Sequence, residues 1–506
     1  MWESSLGLLP VAVILLLLFG FKQTATRTAL GGYVIALLLT FAVPAFSLGL
    51  PGIWHASVQG VLTTSLVAYV LLFGIFLYHL MKEKEIIPSI AAFVARSTDD
   101  PVRQVLILCV AFSPLVESAS GFGVSVIVVA PILVALGFRP YRAALLSLIS
   151  MFAVPWGAMA TGMVVGASLS DLPLRTIGVW TANLTVPTFF FFVLLLVWLA
   201  GGWQGVKKRG AEALFLTAVL GASVYLFNAW VSVELAGVFG GLVTLSVALT
   251  LVRLSASRAA RQAVDGVRET AADVEAAPAY SLFKAMSPYL FLTVFLFLTR
   301  LIPPLEAWLR SHARLEFASY SFSLPLLYSP GFALAVTCLF TWWFFRPDRG
   351  MVGRAARATV KQWVSVNLST VAFVAMSEVM AMSGMTAALA TVTAALFGYW
   401  FLALSPWVGG LGGFLTGSNA GSNAMFLNLQ VAAAAQLRLP PELFAGVQNA
   451  AASHLTMASP SRVLLGVTVL NIREQENRLL RHMMGVGAAT LLLLTGLALA
   501  FSFVAS

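Results

Sequence analysis

The segment FLTGSNAGSNAMFLNLQ (414–430) sets a polar, glycine-bearing interruption, LTGSNAGSN (415–423), inside apolar sequence. Its reading depends on what surrounds it. Of the 506 residues, 59% are hydrophobic and only 10% are charged, with a mean hydropathy of +0.92. Soluble domains carry roughly 45–50% apolar and about 25% charged residues, which excludes a soluble enzyme. The apolar runs are long and unbroken, not the alternating pattern of about ten residues that builds an outer-membrane barrel. The chain therefore reads as an all-α polytopic membrane protein. At membrane depth, backbone freed by an interruption is tolerated only where protein or a water-filled cavity satisfies it.

Moving outward, we expect about 12 transmembrane spans, near 5–21, 29–48, 60–81, 143–169, 177–201, 212–231, 236–252, 287–301, 331–345, 364–383, 441–472 and 482–504. Two further stretches, 104–138 and 399–437, are broken by Pro, Gly, Ser and Asn and read as re-entrant hairpins. With the N-terminus outside, 24 of the 30 Lys and Arg residues fall in cytoplasmic loops, 5 fall outside, and Arg462 is left within a span. That bias follows the positive-inside rule and places both termini outside. It also explains the net charge of +10 without nucleic acid. The polar stretch 253–284 becomes a cytoplasmic linker. The first apolar run has Glu3 before it and Lys22 and Arg27 after it, so it reads as a span and not a signal peptide.

The two halves repeat an order of events. A span is followed by an amphipathic stretch (86–98, 385–398), a run ending in Ser-Pro (Ser113-Pro114, Ser405-Pro406) and a polar interruption (ESASGFG 117–123, LTGSNAGSN 415–423). Then comes a span broken at Pro155-Trp156-Gly157 or at Ala458-Ser459-Pro460-Ser461. The charge map puts one hairpin base inside and the other outside, so the repeats are inverted. The expected organisation is a first inverted repeat over 1–205 (hairpin 104–138, broken span 143–169), connecting spans and linker over 206–285, and a second inverted repeat over 286–506 (hairpin 399–437, broken span 441–472). Inverted repeats with broken helices point to a secondary transporter whose site lies near the midplane.

Ser418, Asn419, Ser422 and Asn423, beside Gly417 and Gly421, offer donors and acceptors that would hold a carboxylate or, through carbonyls, Na⁺; the bland alternative is helix packing. In the first hairpin Gly121 and Gly123 play the matching part. Ser459-Pro460 is a helix start signal, Ser as N-cap and Pro at the first position. Arg462 follows in the first turn, where a cation opposes the helix dipole unless an anion faces it; pairing with Glu117 or Glu378 is the structural alternative. Glu117 is the better candidate proton carrier and Glu378 the second. His454 reads as a packing residue, and Cys109 and Cys338 as small core residues. The five histidines form no metal-binding spacing, and no cofactor is expected. Trp198, Trp203, Trp342 and Trp343 sit at span ends as interface anchors.

At these motifs the chain resembles the L-lactate permease family, which includes glycolate permeases. ESASGFGVSVIVVAPILVALGF (117–138) is similar to the family's E-G-A-A-G-F-G-x-P-V-A segment, the 414–430 segment to F-L-T-G-S-D-T-S-S-N-A-L-F-x-x-L-Q, and MASPSRVLLGVTVL (457–470) to M-I-S-P-Q-S with an apolar tail. The resemblance implies proton-coupled symport of short 2-hydroxymonocarboxylates such as L-lactate and glycolate across a bacterial inner membrane. It also implies a scaffold-plus-transport architecture. The chain departs where the family has Asp and Lys: it carries Asn419 and Thr456, losing an acid and a base together, while Arg462 supplies a relocated cation. Expected partners are a small carboxylate, H⁺ or Na⁺ and the lipid bilayer, with a homo-oligomer left open. A Na⁺-coupled or other small-anion transporter, an anion channel and a polytopic membrane enzyme remain alternatives, although no catalytic constellation is visible.

Overall fold

The computed structural model describes residues 6–505 apart from 22, 122 and 263–278. The middle of the expected 253–284 linker and the second residue of the Gly121–Gly123 turn thus lie outside the described residues. Long apolar runs become helices because a helix satisfies its own backbone in lipid. In order they are α1 (Leu9–Leu15), α2 (Ala25–Ala42), α3 (Gly49–Glu83), α4 (Ile86–Ser97), α5 (Pro101–Ser120), α6 (Val124–Ala135), α7 (Pro140–Ile149) and α8 (Gly157–Ser170). Next come α9 (Leu174–Trp230), α10 (Ala236–Gln262), α11 (Leu282–Leu301) and α12 (Pro303–Ser311). The chain then runs through two antiparallel strands, β1 (Arg314–Phe317) and β2 (Phe322–Pro325). The rest is α13 (Pro330–Phe345), α14 (Arg349–Met382), α15 (Met385–Phe397), α16 (Phe401–Thr416), α17 (Asn419–Gln436), α18 (Pro441–Thr456), α19 (Pro460–Val469) and α20 (Glu476–Ala505).

Among the described residues nine helical segments are long and apolar enough to cross a membrane, or ten if the bent pair 140–156 and 159–170 is one span. That count differs from 12 partly because the 57-residue run α9 holds two expected spans on either side of a kink at Gly202, whose φ is +61° and ψ −159°. Two expected spans are thus joined through the basic stretch Lys207–Arg209. The expected boundary at 205–206 falls just beyond that break. The basic stretch before the expected 364–383 span is helical as well: the Asp348 side chain caps α14 by accepting from the Met351 N–H. The segment between α11 and α13 contains α12 and the small β-hairpin, which the apolar pattern does not announce.

The two halves interlock. The most extensive contact pairs α3 with α14, while α8 packs on α17 and α6 on α19. Each Ser-Pro arm packs against its return helix, α5 on α6 and α16 on α17. Both expected broken spans are broken: α7 passes through a tight stretch, Ser150–Trp156, before α8, and α18 stops at Thr456 before α19 begins at Pro460. α5 is almost wholly enclosed, and its Leu106–Phe112 segment is π-helical, a feature frequent at functional sites. Its base is tied to α9 by ions: Arg103 Nε lies 3.0 Å from Glu212 Oε1 and Arg209 Nη2 lies 2.8 Å from Asp100 Oδ2. Trp198, Trp203, Trp342 and Trp343 are exposed, as lipid-interface anchors would be.

Candidate functional site

The two hairpin tips and the two breaks surround one cavity of about 350 Å³, counting its open mouth. Glu117 and Gly121 reach it from the first tip, Val154, Gly157 and Thr161 from the first broken span. Gly417, Ser418, Asn419 and Ala420 reach it from the second tip, Thr456 and Arg462 from the second break. Local chemistry builds each wall. Gly417 has φ +61°, and an added Cβ would collide with Ser461 Oγ, so the close turn ending α16 requires glycine. Ser418 then caps α17, accepting from the Gly421 N–H at 3.2 Å. Ser459 caps α19, accepting from the Arg462 N–H at 3.3 Å with Pro460 at the first position, as the sequence motif predicts. The N-terminal turns of α17 and α19, each carrying a positive dipole end, therefore both flank the cavity.

The first tip is built differently. Glu117 reaches forward from α5 onto the start of α6. Its Oε1 accepts from the Gly123 N–H at 2.9 Å, and its Oε2 accepts from the Ser125 N–H at 3.2 Å and the Ser125 hydroxyl at 2.8 Å. The carboxylate does the work that a Ser or Asp N-cap does elsewhere. Gly123, at φ +77°, has Arg462 Nη1 2.8 Å from where a Cβ would stand. Arg462 Nη2 donates to the Gly417 carbonyl at 3.2 Å, and Arg462 lies in the field of Glu117. One guanidinium thus touches both tips from a third element. At the first break Met159 and Ala160 hold positive φ, 56° and 60°, at a cost on the order of 1–3 kcal/mol each.

Of the sequence-selected residues, Glu117, Gly121, Ser418, Asn419 and Arg462 line this cavity. Gly123 and Ser459 support it by the contacts above. Ser422 and Asn423 turn away into the packing between helices. Ser422 Oγ donates to the Gly409 carbonyl at 3.1 Å, and Asn423 Nδ2 donates to the Gly162 carbonyl at 2.9 Å. Glu378 lies apart, partly buried on α14 near Asp171. His454 packs as expected, its Nε2 3.0 Å from Thr188 Oγ1 and its ring against Phe192. Cys109 and Cys338 are buried free thiols. Asn419 and Thr456, the two positions at which the resemblance implies Asp and Lys, face the same cavity.

Sequence reasoning missed the amide network behind the second tip. Asn449 Oδ1 accepts from Asn419 Nδ2 at 2.9 Å and from Asn423 Nδ2 at 2.8 Å, while Asn449 Nδ2 donates to Thr181 Oγ1 at 3.1 Å. Gln448 joins Ser422 and Gln430, and Gln430 bonds Ser405. The available signal was Gln448-Asn449 inside the otherwise apolar run 443–452, since buried amides need partners.

Comparison with known proteins decides the family. Residues 4–504 match the L-lactate permease family. The chain belongs to that family. It is 26% identical over 492 residues to an L-lactate permease of Halalkalibacterium halodurans, covering 91% of this chain and 90% of that protein. It is 25% identical over 531 residues to the glycolate permease GlcA of Escherichia coli, covering 95% and 93%. The YdaH transporter of Alcanivorax borkumensis, whose crystal structure shows an unusual topology, is similar in fold, with a TM-score of 0.54 at 18% identity over 95% of this chain and 99% of that one. Membership of the L-lactate permease family makes this a multi-pass inner-membrane transport protein and not an enzyme.

Proposed function

We propose that this permease is a secondary active symporter of small monocarboxylates, L-lactate or glycolate, driven by protons. The supporting observation is the single cavity where Glu117 and Arg462, the two charged residues of its lining, meet the N-terminal turns of α17 and α19. Arg462 and those turns suit a carboxylate, and Ser418 and Asn419 suit a neighbouring hydroxyl. The relatives' names, L-lactate and glycolate permease, fit a ligand of that kind. Glu117 is the proposed proton carrier. A proton on Oε1 sets an O–H against the Gly123 N–H, and a proton on Oε2 makes the Ser125 hydroxyl turn from donor to acceptor; either change weakens the cap at the start of α6. Proton uptake would then move the first tip, which also touches Arg462. The matching order of hairpin, tip and broken span in the two halves supports inverted repeats and alternating access.

One observation favours Na⁺ instead: Asn419 Oδ1 is buried without a hydrogen-bond partner. Uptake into proteoliposomes of a panel of small acids, under a pH gradient alone or a Na⁺ gradient alone, tests both. Accumulation of L-lactate or glycolate under the pH gradient is expected. Accumulation under Na⁺ only would replace the proton, and no carboxylate uptake under either would end the reading.

A further inference from the structure

Three basic residues gather where α9 begins and α11 ends: Arg175, Arg300 and Arg310. They line a cavity of about 630 Å³ together with Asn228, Glu234 and Tyr328. A second cavity of about 610 Å³ shares Leu174, Glu234, Arg300 and Tyr328 with it, and Thr161 with the central cavity. The shared residues make the three cavities neighbours, with Thr161 between the second and the central one and Met159, at positive φ, beside it.

The charges in the first cavity are unequally satisfied. Arg310 lies 2.8 Å from Glu306, which also accepts the Tyr328 hydroxyl at 2.9 Å. Glu234 accepts from Ser232 at 2.6 Å. The Tyr328 ring is sandwiched, with Arg300 Cζ 3.5 Å and Arg310 Cζ 4.0 Å from its centroid. Arg300 Nη2 donates to the Tyr328 carbonyl at 2.7 Å, yet Nη1 is enclosed with no acceptor, and among the described residues Arg300 makes no ion pair. Asn228 is 1% exposed; its Oδ1 faces Trp156 Nε1 at 3.5 Å, which fixes the amide orientation and leaves Nδ2 a second enclosed donor without an acceptor. Three guanidiniums against one carboxylate not committed to them leave the cavity an excess of positive charge, and two of its lining residues hold donors without acceptors, a setting that suits a ligand bringing oxygens and negative charge.

We propose that this cavity is a second, outer binding site for the transported monocarboxylate, held by Arg300 and Asn228, from which the anion passes along the neck at Thr161 to the central site. The charge map that sets the topology places this end of the helices outside, so the site acts at capture. It rests on the proposed monocarboxylate transport for its ligand, while its own test does not need transport. Arg300 acts as an encounter residue: losing it lowers the local anion concentration and leaves the central chemistry intact.

The test uses the full chain in right-side-out vesicles, with Cys109 and Cys338 replaced by Ala and Ser232→Cys as a reporter in the cavity wall. Rates of labelling by an anionic and a cationic thiol reagent of equal size are compared. The anionic reagent should react faster, and Arg300→Gln should cut the ratio about tenfold, with the difference shrinking at high salt. L-Lactate, glycolate and acetate should slow labelling with Arg300 present and not in Arg300→Gln. Arg300→Lys, which keeps the charge, should retain the ratio but lose most of the protection. In the cysteine background without the reporter, Arg300→Gln should raise the KM for uptake roughly fivefold to tenfold at unchanged maximal rate. A ratio indifferent to Arg300→Gln, or no protection by any of the three acids, overturns the site even if uptake is normal. Protection without any carboxylate uptake keeps the outer site and removes the transport reading instead.

Discussion

The two hairpins solve the same problem with opposite materials. Each must cap a helix that begins in the middle of the protein. The second does so with neutral groups: Ser418 caps α17, a glycine makes the turn, and the tip is backed by amides. The first uses an ionisable group, with Glu117 gathering three donors from Gly123 and Ser125. The bases differ in the same sense. The first is pinned by Asp100, Arg103, Arg209 and Glu212, whereas the second is tied by the neutral pair Tyr399 and Ser502, 2.6 Å apart. The contrast sets an ionisable cap at one tip and neutral caps at the other, with Arg462 touching both.

The largest expected effect breaks that shared contact. Arg462→Ala removes the donor to Gly417 and the cation of the cavity, and should cost about 3–5 kcal/mol of substrate affinity, roughly two to four decades. Arg462→Lys should fall between, since an ammonium cannot grip a carboxylate with two parallel bonds. Substrate-dependent thermal shifts on purified protein measure this, and an unchanged apparent affinity in Arg462→Ala would assign Arg462 a structural role only.

Next is the ionisable cap itself. Glu117→Gln should abolish uphill accumulation under a pH gradient while counterflow exchange of labelled substrate survives. Concentrative uptake by the mutant under a pH gradient alone would place the proton elsewhere. On the neutral side, Gly417→Ala forces a side chain into φ +61° and into Ser461, and should destabilise by about 1–3 kcal/mol. Ser418→Ala should remove only a cap, about 1 kcal/mol. Thermal unfolding of the two mutants ranks them, and the reverse order would show that the turn tolerates left-handed Ala.

The smallest effect sharpens the contrast between bases. Burial works to raise the Asp100 carboxyl, but the Arg209 hydrogen bond and charge, with the Arg103 and Val102 N–H groups, outweigh it and hold Asp100 below its ordinary value of 3.8. Because the folded value is the lower one, its stabilisation is fully present above pH 3.8 and fades as pH falls through the folded value. Amide protection at residues 99–103, taken relative to the intrinsic exchange rate at each pH, should therefore fall in that acid range before protection at 398–402 does.

Much of this was legible because membrane sequence is constrained. Apolar run length set most helices, and Ser459-Pro460 announced the start of α19. Glu117 and Arg462 stood out as charges where charge is costly. Three things were not legible. The chain between two spans kinks only at Gly202 and stays helical through Lys207–Arg209, and basic helix and basic loop have the same composition. Ser422 and Asn423 share a helix face with Ser418 and Asn419 but lie one turn further along it, past the cavity and within the packing between helices, a depth that composition does not reveal. The outer cavity draws residues from positions 175, 228, 300 and 328, so no local motif could mark it.

The forked acceptance at Asn449 constrains which neighbouring sequences this fold can visit. Its Oδ1 receives both Asn419 and Asn423. Installing at 419 the Asp of the family pattern would bring a carboxylate against an oxygen that already faces it. Relief requires the Asn449 amide to turn over, which strips Asn423 of one acceptor and presents an oxygen to Thr181, whose hydroxyl must then rotate to donate. Positions 419, 423, 449 and 181 are therefore coupled through one amide, and Asn419→Asp should cost more stability alone than when Asn449 is replaced with it.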